Sequence, residues 1–210
     1  MTKKERAEIV YEELKKLYPE TSCFLKYKKD YELLFAIILS AQSTDIKVNE
    51  ATSLLFKEYD SLEKFASASP SSLIPYIKKV GLAKSKSNYL VKTSQILLFS
   101  YSGKVPKDRK ILVSLPGVGE KTAAVFLAEY YNYPFIPVDT HVKRVSNRLS
   151  LVKEDDPIKI ETDLEHLYRD KDDLISIHRR LILFGRDICH SIRPNCLNCP
   201  FTFCKNNKVG

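Results

Sequence analysis

The 210-residue sequence predicts an all-α fold. Three observations carry that reading. Apolar residues recur at helical spacing along most of the chain. No segment alternates apolar and polar residues over the length of a strand. Pro, Gly, Ser and Asp stand between the helical runs, where turns and caps belong. At this length, with 44% hydrophobic and 29% charged residues, the chain suits one large globular domain or two packed lobes.

The elements follow in order. A first helix over 5–18 places Ile9, Val10, Leu14 and Leu17 on one face. Asp30 is suited to cap a strongly apolar core helix through Leu33, Leu34, Ile37 and Ile38. Ser43 or Thr44 caps the next, which would bury Val48, Ala51, Leu54 and Leu55. Helices at 61–67, 70–78 (Pro70 near its start) and 84–99 come next, the last with Leu90, Ile96 and Leu97 inside. Gly81 and Gly103 mark turns. A helix at 107–114 ends at Pro116, and another resumes at 120–131. Helices at 139–149, 157–168 and 172–184 complete the set, about ten in all, with no repeat, low-complexity segment or flexible linker.

Composition narrows the function classes. No apolar run approaches the ~20 residues of a membrane-spanning helix. The N-terminal residues start an amphipathic helix rather than a secretory signal, so a cytoplasmic protein is expected, with no membrane partner. The formal charge of +8 and the pI near 9.1 favour a polyanionic partner.

In Leu115-Pro116-Gly117-Val118-Gly119 the proline breaks one helix, and the glycines permit backbone angles that other residues resist. The following helix presents unpaired N–H groups at its positive end, making a socket for a phosphate oxygen. Lys121 sits in the first turn, where the helix dipole disfavours a cation, so a free nucleophilic amine with a depressed pKa is expected. Eighteen residues on, Asp139 in Pro137-Val138-Asp139-Thr140-His141 is placed to cap a helix. A carboxylate there could also stabilise a cationic sugar or accept a proton.

Four of the five cysteines fall in the final 22 residues, as Cys189-x6-Cys196-x2-Cys199-x4-Cys204. Four thiolates suit a [4Fe–4S] cluster or tetrahedral zinc. The single Cys-x2-Cys pair favours iron–sulfur, with zinc the alternative. Arg193, between the first two cysteines, could reach a DNA phosphate. Cys23 reads as a small buried hydrophobe.

Together these segments resemble endonuclease III, the helix–hairpin–helix family of DNA glycosylases with abasic-site lyase activity, over essentially the whole chain. Leu39-Ser40-Ala41-Gln42-Ser43-Thr44-Asp45 matches the family segment whose Gln fills the space of an extruded nucleotide, here Gln42. Val80-Gly81-Leu82 matches the loop whose apolar residue wedges into the base stack, here Leu82. The hairpin match places the catalytic amine at Lys121 and its DNA-backbone contacts at Pro116, Gly117, Val118 and Gly119. The Val138-Asp139-Thr140-His141 match places the catalytic carboxylate at Asp139. By the same resemblance, backbone carbonyls of Val113, Leu115 and Val118 would bind a monovalent cation.

The resemblance implies a two-lobed fold with the active cleft between the lobes. A helical barrel domain would span 22–134, with the helix–hairpin–helix at about 107–131. A second lobe, from 1–21 plus 135–210, would carry the iron–sulfur loop at 189–204. It further implies a monomeric base-excision-repair enzyme that removes oxidised pyrimidines from double-stranded DNA and cleaves abasic sites by β-elimination through a Lys Schiff base. In a bacterium it would associate with the nucleoid. Two features depart from the family. The last cysteine interval is x4 where the family has x5, and Arg193 is the sole fixed charge of the first cysteine loop. An adenine-excising relative would lack Lys121 and carry a further C-terminal domain, and a non-catalytic DNA-binding module would leave Asp139 and Gln42 without a role.

Overall fold

The structure, a computed structural model, describes residues 1–171 and 173–204. Among them are eleven α-helices, one 3₁₀ turn at Cys196–Asn198 and no strand. The chain divides into two compact units, Cys23–Tyr131 and the two flanking stretches Met1–Ser22 and Asn132–Gly210.

In the Cys23–Tyr131 unit, α2 (Asp30–Ser40) is the central element: every residue from Tyr31 to Leu39 is buried. Its near-continuous apolar sequence explains this, because a helix apolar all round is stable only when enclosed. Around it pack α3 (Asp45–Glu58), α6 (Ala83–Tyr101) and α8 (Glu120–Tyr131), while α4 (Leu62–Ser67) and α5 (Pro70–Ile77) lie against α6. Phe65 anchors the far end, edge-on to Phe35 with ring centroids 5.0 Å apart. Arg109–Ser114 forms α7, which packs on α8.

In the flanking unit, α1 (Lys3–Leu17) and α9 (Thr140–Arg148) pack on the long α11 (Leu174–Asp187), and α10 (Pro157–Leu167) buries Ile160 and Leu164. The chain beyond α11 returns to this core. Phe201 is fully buried against Phe184, with centroids 5.3 Å apart, and the Arg6 guanidinium lies 5.7 Å over the Phe203 ring.

Several expectations are corrected. In α1 the buried stripe is Ala7, Val10 and Leu14, whereas Ile9 and Leu17 face solvent. The small Ala7 permits close packing, with the buried Tyr168 hydroxyl donating to its carbonyl at 3.3 Å. Leu54 of α3 is likewise exposed, because Val48, Thr52 and Leu55 define the inward face. Asp30 is not a cap but the first residue of α2. One oxygen of its carboxylate accepts from the Tyr31 N–H at 2.7 Å in that first turn, and the other accepts from the Val105 N–H at 2.9 Å, tying the loop after α6 to the start of α2. The helix expected from 107 begins only at Arg109, because Asp108 accepts from the Ile111 N–H and so starts it. The helix expected at 172–184 runs Leu174–Asp187; residue 172 and residues 205–210 lie outside the described residues.

Candidate active site

The hairpin between α7 and α8 is built from residues 115–119. Leu115 and Val118 are buried and root it in the core. The Val118 N–H closes the turn on the Leu115 carbonyl at 3.1 Å, and the Thr93 hydroxyl holds the Pro116 carbonyl at 3.1 Å. The two glycines serve different purposes. Gly117 has φ +80, and a Cβ there would lie 2.6 Å from the Tyr89 side chain. Gly119 has no left-handed backbone, and a Cβ there would meet nothing within 4 Å. The expectation that both glycines adopt special angles therefore holds for Gly117 alone. The open space before Gly119 leaves room for a ligand to approach the backbone.

Helix α8 starts directly after Gly119, so the N–H groups of its first turn have no intrahelical partner. Lys121 is the second residue of α8 and is exposed. Glu120, its neighbour, is paired with Arg109 at 2.9 Å. Of the three carbonyls expected to serve a cation, the Leu115 oxygen already accepts from Val118 and keeps a second lone pair; Val113 is half-buried and Val118 buried.

On the same unit, two further turns carry candidate residues. Gln42 has φ 55 and Leu82 has φ 62, rare backbone for side-chain-bearing residues, and both are exposed, Leu82 by 57%. The turns touch: a Cβ on Gly81 would lie 3.6 Å from the Gln42 carbonyl oxygen. An open depression beside them is lined by Gln42, Gly81, Lys47, Lys78 and Lys79, a cationic border suited to phosphates. The ammonium of Lys86 reaches in from α6 to the Leu39 and Ala41 carbonyls at 2.9 and 2.7 Å.

Asp139 belongs to the other unit. It is half-buried and is the N-cap of α9, accepting from the Val142 N–H at 2.7 Å. The segment before it is fixed at two points: the Ile136 N–H donates to Glu165 at 3.3 Å, and the buried His178 ring donates Nδ1–H to the Pro137 carbonyl at 2.7 Å. The carboxylate is thus aimed by a tethered backbone. On the first turn of α9, the Arg144 guanidinium donates to His141 Nδ1 at 3.1 Å, so His141 carries its proton on Nε2. Burial lowers the His141 pKa below 6.5, Asp139 opposes that, and Arg144 and Arg186 reinforce it. Arg144 also holds the Gly185 and Cys189 carbonyls at 2.9 and 3.0 Å.

The four C-terminal cysteines line one small cavity, closed on its inner side by Leu149 and Phe184. Arg148 organises it, donating to Cys189 Sγ at 3.4 Å and to the His190 and Ser191 carbonyls at 2.6 and 3.0 Å, while the Cys204 thiol donates to the Arg148 carbonyl at 3.4 Å. Burial pushes the Cys199 thiol pKa up. The Phe201 N–H draws it down, and Cys204, Cys189 and Cys196 add to the rise. Among the described residues no three His, Cys, Asp or Glu side chains converge on a point that would hold one metal ion. Four soft thiolates around one cavity are a donor set that suits a [4Fe–4S] cluster or tetrahedral zinc. Arg193 is exposed with φ 52 at the tip of this loop. Cys23 is half-buried rather than buried.

The supporting residues escaped sequence reasoning. Tyr89, Glu165, His178 and Arg148 act through tertiary contacts that no local pattern announces. Lys86 left one trace: it occupies the apolar stripe of α6 with Leu90 and Leu97 at helical spacing.

Comparison with known proteins fits this geometry. Residues 35–170 match the model of the HhH-GPD superfamily base excision DNA repair protein family. Endonuclease III of Rickettsia conorii is 44% identical over 191 residues, covering 91% of this chain and 90% of that protein. Endonuclease III of Bacillus subtilis is 40% identical, covering 88% and 84%. A solved structure of a trapped endonuclease III–DNA covalent intermediate superposes with a TM-score of 0.93 at 36% identity, covering 99% of this chain and 98% of that one. By hairpin, helical framework and relatives, the chain belongs to the endonuclease III family of helix–hairpin–helix base excision DNA repair proteins.

Proposed function

We propose that the chain is a bifunctional DNA glycosylase that removes oxidised pyrimidines from duplex DNA and cleaves the resulting abasic strand. What carries the reading is the delivery of an exposed Lys121, at the start of α8, directly after the open space at Gly119. The covalent endonuclease III–DNA complex among its structural relatives supports a nucleophile that bonds to the DNA.

At the hairpin of Pro116, Gly117, Val118 and Gly119, the glycine N–H groups grip the DNA backbone while Pro116 and Val118 shape the turn, aided by a monovalent cation on the Val113, Leu115 and Val118 carbonyls. The damaged nucleotide is extruded, at a cost of a few kcal/mol that is least for a poorly stacked lesion. Gln42 and Leu82 occupy the vacated space. The Lys121 amine attacks C1′ as the base departs with the bonding electrons, and Asp139 stabilises the cationic sugar or accepts a proton. The iminium that forms acidifies the C2′ proton. Its loss expels the 3′ phosphate, and water then releases the enzyme.

Cys189, Cys196, Cys199 and Cys204 would hold a [4Fe–4S] cluster. Iron–thiolate bonds from these four cysteines would cross-link the loop that presents Arg193 at its tip, where it would meet a DNA phosphate. Among the described residues no helix is long and apolar enough to cross a membrane. A cytoplasmic monomer acting on nucleoid DNA is the setting this reading implies.

A duplex bearing one abasic site tests the proposal. The chain should nick it without added metal and leave an unsaturated aldehyde at the 3′ end. An intact strand, or a nick with a 3′ hydroxyl, would refute the lyase assignment.

A further inference from the structure

The turns at Gln42 and Leu82 are costly to form. Each holds a side-chain-bearing residue in left-handed backbone, a conformation disfavoured for L-residues. Both lie on one unit and touch through Gly81 and the Gln42 carbonyl. Lys86 joins them. Its backbone N–H bonds the Leu82 carbonyl at 3.0 Å, within the first turn of α6. Its side chain, 2% exposed, runs inward to the Leu39 and Ala41 carbonyls, which flank Ser40 at the end of α2 and lead directly into Gln42. Those carbonyls are orphans of the α2 C-terminus, at the negative end of its dipole, where an ammonium is favoured. Both acceptors are neutral, and burial pushes the Lys86 pKa down.

We propose that Lys86 is a positioning residue that locks the Gln42 and Leu82 turns into a single two-pronged element, so that both prongs enter the duplex together when a nucleotide is extruded. The inference rests on the glycosylase reading and adds to it a residue that touches neither DNA nor the reacting sugar. Its ammonium ties α6, whose N-cap is Leu82, to the end of α2, from which Gln42 follows. A loosened pair would fill the gap poorly and let the damaged nucleotide fall back into the stack.

Lys86→Met keeps the length and apolar stem but removes the donors; Lys86→Gln retains an amide donor and serves if the methionine variant does not fold. The rates to compare are excision of thymine glycol from a duplex and nicking of a preformed abasic duplex. The fluorescence of 2-aminopurine opposite the lesion reports prong insertion. Excision should slow about 10- to 100-fold, the scale set by small misplacements of a reacting assembly. Abasic nicking should fall about threefold at most, since that nucleotide has no base to unstack. The 2-aminopurine rise should vanish. In a Gln42→Ala background the Lys86 change should cost little more, because coupled residues are not additive.

Equal losses on both substrates, with an unchanged 2-aminopurine rise, would reduce Lys86 to a structural role and overturn the proposal. Undiminished excision would do the same. Wild-type protein that leaves the abasic duplex intact would instead overturn the enzymatic reading, and the positioning role with it.

Discussion

Alanine at Gly117 and alanine at Gly119 should have opposite consequences, although the two glycines lie two residues apart in one turn. At Gly117 the backbone has φ +80, and left-handed geometry costs an L-residue about 1–2 kcal/mol. The new methyl would also lie 2.6 Å from Tyr89 Cδ2, 2.8 Å from Cγ and 3.0 Å from Cβ. This contact involves the root of the Tyr89 side chain, which cannot swing clear, so relief needs backbone movement worth about 1–3 kcal/mol. The sum is about 2–5 kcal/mol, or a fall in Tm of about 4–20 °C for a chain of this size. At Gly119 the methyl meets nothing within 4 Å, so stability should change by no more than about 0.5 kcal/mol. The same methyl occupies the space a phosphate would use. Losing a charge-assisted backbone bond there should weaken duplex binding by about 10- to 100-fold. Thermal melting and fluorescence anisotropy with an abasic-analogue duplex measure the two effects. Wild-type affinity in Gly119→Ala, or an unshifted Tm in Gly117→Ala, would refute the division of labour in the hairpin.

Asp139→Asn should preserve Tm, because Asn caps a helix nearly as well as Asp, yet lower excision by about 10²- to 10³-fold; Asp139→Ala should lose about 1 kcal/mol as well. Full excision by the Asn variant would leave Asp139 a cap alone. The depressed His141 pKa makes a pH prediction. The unfolded chain binds that proton first, so this contribution to stability is intact above about pH 6.5 and is lost as pH falls from there toward the folded pKa. His141→Asn should flatten the decline of Tm between pH 7 and 5; an equally steep decline would exclude His141 as its source. Purified protein should be brown and contain iron and inorganic sulfide in equal amounts, with Cys204→Ser losing both colour and metal. Zinc without sulfide would establish the alternative occupant of the four cysteines.

The sequence announced the features that depend on local chemistry. Helical periodicity located every described α-helix to within a few residues, and the Pro116–Gly117 pair marked the hairpin. Asp139 could be read as a cap because capping needs only an acceptor before a helix and an N–H two or three residues on. Positions that depend on distant partners were misread or missed. Asp30 looked like a cap, but it is the first residue of α2, and one of its carboxylate oxygens serves the Val105 N–H, 75 residues away. Ile9, Leu17 and Leu54 fit helical faces that the neighbouring helices do not cover. The left-handed backbone at Gln42 and Leu82 has no sequence signature, since residues that bear a Cβ rarely adopt it. Lys86 illustrates the limit most sharply: a lysine on an apolar stripe signals a buried role, but only the fold reveals the carbonyls it serves.

Trapping with borohydride tests the central claim most directly. Incubated with an abasic duplex and reductant, the wild-type chain should form a stable protein–DNA adduct whose tryptic mapping places the sugar on Lys121. Lys121→Gln should bind the duplex and form no adduct. An adduct that persists in Lys121→Gln, or one that maps to another residue, would contradict the assignment of the nucleophile.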